Sequence, residues 1–209
     1  MAENTQEQFW ASSFGEEYTT RNKDSFRVPS YIHCWSSILS HTHGIKSVIE
    51  LGSNVGFNLI AINQLIHDVE LSAVEINGKA VEMLKMLPFD ISIHHTSILD
   101  FAPQRTYDLS FTRGVLIHIA PDDLQRCYEL LYNSSSNYIV VNEYYNPTPV
   151  EIAYRGHTGV LFKRDFAGDL LDMFPDLRLV AYGFNYHRDP NFPTDDTTWF
   201  LLQKEPRQA

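Results

Sequence analysis

The densest chemistry in this sequence sits in the run Glu50-Leu51-Gly52-Ser53-Asn54-Val55-Gly56. It ends a β-rich stretch and opens a helical one, so both glycines fall in a strand–helix turn. Without a Cβ at Gly52 or Gly56 a ligand can approach the backbone, and the helix N-terminus adds free N–H donors. The next strand ends in Ala73-Val74-Glu75-Ile76-Asn77, which puts Glu75 23 residues beyond Gly52. An acid at that distance is placed to accept hydrogen bonds from both hydroxyls of a ribose. A dinucleotide would need a third glycine to seat its pyrophosphate. Here Asn54 holds the middle position and the spacing is Gly-x-x-x-Gly.

Glu50 narrows the ligand further. A carboxylate two residues before the first glycine suits a cation better than a phosphate, and leaving it buried and unpaired costs on the order of several kcal/mol. It therefore belongs at the site, near an ammonium group or structuring the loop. S-adenosylmethionine (SAM) combines a ribose with a sulfonium and an ammonium and carries no phosphate. The expected cofactor contacts are Glu50, Gly52, Ser53, Asn54, Gly56, Glu75 and Ile76.

More polar groups reach the same crevice. Thr112, Arg113 and Gly114 close the fourth strand, where Arg113 is either a surface arginine or a contact to a carboxylate of cofactor or substrate. His118 follows in the run Val115-Leu116-Ile117-His118-Ile119 as a structural histidine or a proton acceptor. Asn142, Glu143, Tyr144, Tyr145 and Asn146 leave the fifth strand on the ligand side. Tyr154, Arg155, His157, Lys163 and Arg164 come soon after, where a short connection would have sufficed, and that reads as a functional loop rather than a solvated insertion. Lys163 and Arg164 stand at a predicted helix start, which disfavours cations unless an anion pairs with them. Arg155, His157 and Arg164 could thus form a cationic pocket for a carboxylate or phosphate, with Tyr186, His187 and Arg188 adding to it. The substrate-binding candidates are Asn142, Glu143, Tyr144, Tyr154, Arg155, His157, Lys163 and Arg164. A hydroxyl or ammonium acceptor needs a base, for which His118, Tyr144 and His157 are the candidates; a carboxylate acceptor needs none.

The elements that must hold these groups alternate between β and α. Strands are expected at Ser47–Leu51, Glu70–Ile76, Asp90–His95, Tyr107–Thr112, Tyr138–Asn142, Leu177–Phe184 and Thr198–Gln203. Helices are expected at 55–67, 79–87, 121–132 and 163–173. Such alternation predicts a doubly wound, Rossmann-like α/β sheet of seven strands. The last two strands are joined only by NYHRDPNFPTDDT, too short and Pro-rich for a helical crossover, so the final strand should run in reverse. The first 45 residues differ, with aromatic residues at helical spacing (Phe9, Trp10, Phe14, Tyr18, then Tyr31 and Trp35), and read as a helical cover on a core of residues 46–209. The whole is one domain with a substrate insertion at about 143–165.

The chain has 209 residues and a net charge of −10. Such an acidic surface repels phosphate backbones and anionic lipid, which argues against nucleic acid and membrane partners. Two cysteines, Cys34 and Cys127, exclude a disulfide scaffold and a four-cysteine zinc site, and read as buried free thiols. The opening MAENTQEQ is polar and does not resemble a signal peptide, and no apolar run approaches a membrane span. The expectation is a cytoplasmic protein, monomer or homodimer, with a small-molecule substrate and no metal.

Four segments, ELGSNVG, AVEIN, HTSILDF and YDLSFTRGVLIHI, occur in the order and on the elements found in class I SAM-dependent methyltransferases, which the sequence resembles over about residues 46–145. The resemblance implies SAM as cofactor and adds Ser97 and Ile98 as contacts, although Ser97 stands where the family commonly has an aspartate for the adenine amino group. A closer resemblance spans nearly the whole chain. The runs QFWASSFGEEYTTRN, EYYNPTPVEIAYRGHTGVLFKRDFAGDLLDMFPDLRLVAYGF and YHRDPNFPTDDTTWFLL are similar to the small methylases associated with pseudaminic acid biosynthesis. It implies a sugar-like or otherwise small polar substrate. Related proteins use an N-terminal segment to close over the cofactor, which makes Trp10, Tyr18 and Arg21 lid candidates here. The expected activity is O- or N-methylation of a small, polar, anionic molecule. The competing readings are a non-catalytic SAM-binding protein and a nucleotide-dependent oxidoreductase or epimerase; the absent triple glycine counts against the latter.

Overall fold

The computed structural model describes Trp10, Gly15, residues 27–153, Gly159 and residues 161–205. Helix α1, Val28–Leu39, carries proline in its first turn, the one helical place where a missing N–H removes no bond. Strand β1, Ser47–Leu51, buries every residue after its first, as a strand covered on both faces must. Helix α2 (Phe57–Leu65), β2 (Glu70–Glu75), α3 (Gly78–Lys85) and β3 (Ser92–His95) follow. Next come β4 (Tyr107–Arg113), a short 3-10 turn at Leu116–His118, α4 (Leu124–Ser134) and β5 (Ser135–Glu143). A two-stranded hairpin of β6 (Val150–Glu151) and β7 (Phe162–Lys163) precedes α5 (Phe166–Met173), β8 (Leu177–Phe184) and β9 (Thr198–Lys204).

The main sheet has seven strands in the order β3-β2-β1-β4-β5-β9-β8. β1 lies parallel between β2 and β4, with Glu50 level with Ala73 on one side and Phe111 on the other. β9 alone runs in reverse, antiparallel to both β5 and β8, as the short connection predicts. Because the chain proceeds outward from β1 through β2 to β3 and then returns to place β4 beside β1, a crevice opens past the C-terminal ends of β1 and β4. One face of the sheet is covered by α1, α2 and α3, through Trp35, Ile38, Leu59, Ile62 and Leu84. The other face is covered by α4 and α5, through Leu124, Leu131, Phe166 and Leu170. Cys34 and Cys127 are buried, unbridged thiols, one on each side. No helix among the described residues is long and apolar enough to cross a membrane.

The structure corrects the start of the last helix. Lys163 belongs to β7, paired with Val150, and the helix begins at Phe166. Its N-cap is Asp165, whose Oδ1 accepts from the Gly168 amide at 2.8 Å. Arg164 is ion-paired with Asp169 in the first turn at 2.7 Å, so the anion demanded by a cation at a helix start comes from the helix itself.

Candidate cofactor and acceptor cleft

The glycine run is a tight turn fixed by backbone bonds: the Gly52 and Ser53 amides both donate to the Val74 carbonyl, at 2.8 and 3.1 Å. Gly52, Asn54 and Gly56 all have positive φ, at 83°, 45° and 80°. Gly56 is the N-terminal cap of α2. The structure adds a packing reason for glycine to the close ligand approach expected from sequence. A Cβ on Gly52 would lie 2.6 Å from Val115 Cγ2, and one on Gly56 would lie 2.7 Å from Leu84 Cδ2. Gly56 is a packing and capping position, outside the cleft lining.

Alanine at Gly52 therefore meets both a forbidden backbone region and a neighbour, whereas at Gly114 (φ 65°) an added methyl would have nothing within 4 Å. We expect Gly52→Ala to destabilise the fold by about 2–4 kcal/mol and Gly114→Ala by about 1–2 kcal/mol. Urea melts of the two variants check this, and equal losses would mean that Val115 simply moves aside.

Glu75 is buried and locked between the two sides of the crevice. Its Oε2 accepts from the Asn54 amide at 2.7 Å and its Oε1 from the Asn77 amide at 2.8 Å. Burial raises its pKa, while those backbone donors and that of Ile76 pull it down. A carboxylate has about four acceptor positions, so this fixed pair of oxygens retains acceptor capacity toward the cleft. Asn77 next to it caps α3, accepting from the Lys79 and Ala80 amides, and donates to the Trp10 carbonyl at 3.1 Å.

Glu50 lies beneath the same loop. Its Oε1 accepts from Asn58 Nδ2 at 2.5 Å, and its Oε2 is fully buried with no hydrogen-bond partner. Burial pushes its pKa well above the ordinary carboxylate range, against the lowering effects of Asn58 and Arg113. With its amide committed to Glu50, Asn58 turns its Oδ1 toward Trp35 Nε1 (3.0 Å) and Arg113 (3.3 Å). Arg113 also donates to Thr194 at 2.8 Å and lies 4.0 Å over the Tyr31 ring.

Tyr31, Glu50, Asn58, Glu75, Asn77 and Arg113 line one cleft of about 1240 Å³, its open mouth included. Of the residues singled out from sequence, Trp10, Glu50, Gly52, Ser53, Asn54, Glu75, Ile76, Ser97, Ile98, Arg113, Gly114 and His118 line it. The Ser97 hydroxyl accepts from the Leu99 amide at 3.0 Å, fixing the turn after β3. His118 lies against the Trp10 ring, centroids 4.5 Å apart. Tyr18, Arg21, Tyr154, Arg155 and His157 fall outside the described residues.

The remaining expectations are corrected. Thr112 is wholly buried within β4. Asn142 and Glu143 are interior supports rather than substrate contacts: Asn142 lies between Cys34 and Asn185, and Glu143 Oε1 accepts from the Val115 and Leu116 amides at 3.0 and 3.2 Å. Glu143 is pushed up to about 7 by burial, against those backbone donors. Tyr144 packs on the core away from the cleft, with Lys163 5.0 Å over its ring. Lys163 and Arg164 are outside the lining too, so the 142–165 segment supplies no described cationic pocket. The sequence reading missed Arg27, Tyr31, Asn58 and Asp195, which do line the cleft. Asn58 left a signal as a lone polar residue in the apolar first turn of α2. Asp195 and Thr194, about 80 residues from Arg113 in the chain, left none.

No known family profile matches this chain, and no curated protein matches it in sequence. Solved structures do match in fold. The Burkholderia thailandensis 1,6-didemethyltoxoflavin-N1-methyltransferase, with 1,6-didemethyltoxoflavin and S-adenosylhomocysteine bound, superposes with a TM-score of 0.69 at 10% identity, over 96% of this chain and 87% of that one. The plantazolicin methyltransferase BpumL, in complex with SAH, gives 0.67 at 12% identity over 96% and 94%. The magnesium protoporphyrin IX methyltransferase of Synechocystis PCC 6803, with bound SAM, gives 0.67 at 12% identity over 98% and 100%. The chain therefore has the α/β fold that these SAM-dependent methyltransferases share.

Proposed function

We propose that the protein is a SAM-dependent methyltransferase acting on a small polar acceptor that carries an anionic group, of the sugar-acid kind. The observation that carries this reading is Glu75, held by the Asn54 and Asn77 amides with its remaining acceptor capacity at the cleft. That is the arrangement a ribose diol requires. Glu50 below the same turn adds a second acid; burial by itself disfavours its charge, and a bound sulfonium and ammonium would favour its ionised form where a pyrophosphate would not. The residues present thus fit SAM better than a dinucleotide. Ser97 and Ile98 would bound the adenine, and Trp10 and His118 the opposite wall.

Bound SAM would supply an electrophilic methyl group on sulfonium. The protein's part is to hold the acceptor in line and keep water out, an effect that can contribute about 7–11 kcal/mol. Of the three bases expected from sequence, His118 is the one the described cleft wall carries, and it would take the proton from a hydroxyl or ammonium acceptor. Support for an anionic acceptor comes from Arg113 and Arg27 in the cleft rather than from the 155–164 segment. Calorimetry with SAM and NAD tests the reading: SAM should bind with micromolar affinity and NAD not detectably. Methyl-labelled SAM with a panel of sugar acids then separates an enzyme from a non-catalytic binder. Binding of NAD in preference to SAM would overturn the proposal.

A further inference from the structure

Arg113 is an arginine with too few partners for its position. It is half-buried at the end of β4 and lines the cleft. Of the five N–H groups of a guanidinium, one is given to Asn58 and one to Thr194. Among the described residues no carboxylate lies within 4.0 Å of it to form an ion pair, in contrast to Arg164 with Asp169 and Arg105 with Glu70. Its plane is held from three directions: the Tyr31 ring beneath it, Asn58 oriented by Glu50 and Trp35, and Thr194 on the β8–β9 loop. A flat guanidinium fixed this way, with three N–H groups left over, is preorganised for a planar, two-oxygen anion.

The charge of the surroundings selects the anion. Glu50 and Asp195 both act on Arg113 electrostatically, so the site carries less than one full positive charge to spare. A monovalent carboxylate matches that single charge more closely than a phosphate dianion does. Burial keeps Glu50 more protonated than an ordinary carboxylate, which leaves the arginine short of a counter-ion rather than neutralised.

We infer that Arg113, braced by Tyr31, Asn58 and Thr194, is a carboxylate receptor at the inner end of the cleft. The inference rests on the SAM-dependent reading for what shares the cleft. Two molecules could bring the carboxylate, the methionine moiety of the cofactor or the acceptor, and the experiment separates them.

The full-length protein and its Arg113→Gln and Arg113→Lys variants are titrated with S-adenosylhomocysteine and with 5′-methylthioadenosine, which lacks the amino-acid moiety. Acetate and inorganic phosphate are then titrated into free and S-adenosylhomocysteine-saturated protein, with the Arg113 Nε–H resonance as reporter. If the cofactor brings the carboxylate, wild type prefers S-adenosylhomocysteine at least tenfold, and Arg113→Gln reduces that preference to within twofold. In that case acetate moves the reporter only in the free protein. If the acceptor brings it, the affinity for each nucleoside is unchanged by the mutation, and acetate moves the reporter in the saturated wild type at millimolar concentration. In either case Arg113→Lys, charged but not forked, recovers only part of the effect. The inference is overturned if the preference is unaffected and acetate leaves the reporter still, if phosphate binds more tightly than acetate, or if Arg113→Gln weakens both nucleosides equally. Failure of wild type to bind either nucleoside would sink the SAM reading, and acetate on the free protein would still decide the role of Arg113.

Discussion

Glu75→Ala weakens SAM binding by about 100-fold or more, the largest loss expected from any single substitution in the cleft. Two ribose hydroxyls would lose a charged acceptor worth about 1.5–3 kcal/mol each. The variant also strips the Asn54 and Asn77 amides of their partners. Each orphaned donor costs about 1–3 kcal/mol, partly offset by removing a carboxyl that burial already destabilises. A net stability loss of about 2 kcal/mol follows, small enough to leave the protein folded, which near-ultraviolet circular dichroism verifies before titration. Glu75→Gln keeps one carbonyl acceptor and should fall between, with an affinity loss of about tenfold, the value of one such bond. Unchanged SAM affinity in a folded Glu75→Ala protein would remove the basis for a ribose at this position.

The same residue shows what the sequence revealed and where it stopped. Strand-end acid and glycine turn were readable because their spacing follows from a local rule, one βαβ unit with its ligand at the strand ends. The reversed β9 was readable for a similar reason: a short Pro-rich link cannot carry a crossover helix. Tyr31 and Asn58 were not, since each sits in a helix where sequence periodicity says only which side is inward, and a cleft wall counts as inward. Arg113 was visible as a residue of interest. Its companions Thr194 and Asp195 arrive from a loop whose placement depends on how β8 and β9 dock on the far edge of the sheet, a long-range outcome with no local signature.

The described part of the 142–165 segment reads differently from its sequence for another reason. Its polar density is real, but its two described cations, Lys163 and Arg164, are engaged locally, Arg164 by Asp169 and Lys163 by the face of Tyr144. Composition cannot tell a cation that waits for a ligand from one that satisfies a helix end. Glu143 was misread in the same manner. A carboxylate leaving a strand on the ligand side looks like a substrate contact, and turns out to clamp the backbone that shapes the cleft wall.

That clamp yields the second large effect. Glu143 titrates near 7 in the folded protein against an ordinary value of 4.5. Between those values the folded state holds a proton that the unfolded chain has released. The stability contributed by the neutral carboxyl is therefore complete below about pH 4.5 and is lost as pH rises through about 7, amounting to up to about 3 kcal/mol. Glu143→Gln is neutral at every pH, and its carbonyl can still accept from the Val115 and Leu116 amides. The variant should match wild type at pH 5 and exceed it by about 1–3 kcal/mol at pH 8, read from urea melts. Glu50 and Glu75 are shifted in the same direction, so some of the alkaline decline remains in the variant. Val115 is the residue a side chain at Gly52 would strike, and His118 ends the 3-10 turn that the clamp begins. A Glu143→Gln protein less stable than wild type at pH 8 would mean that these two amides need a charged acceptor, and that the wall beside Gly52 is held by charge rather than by shape.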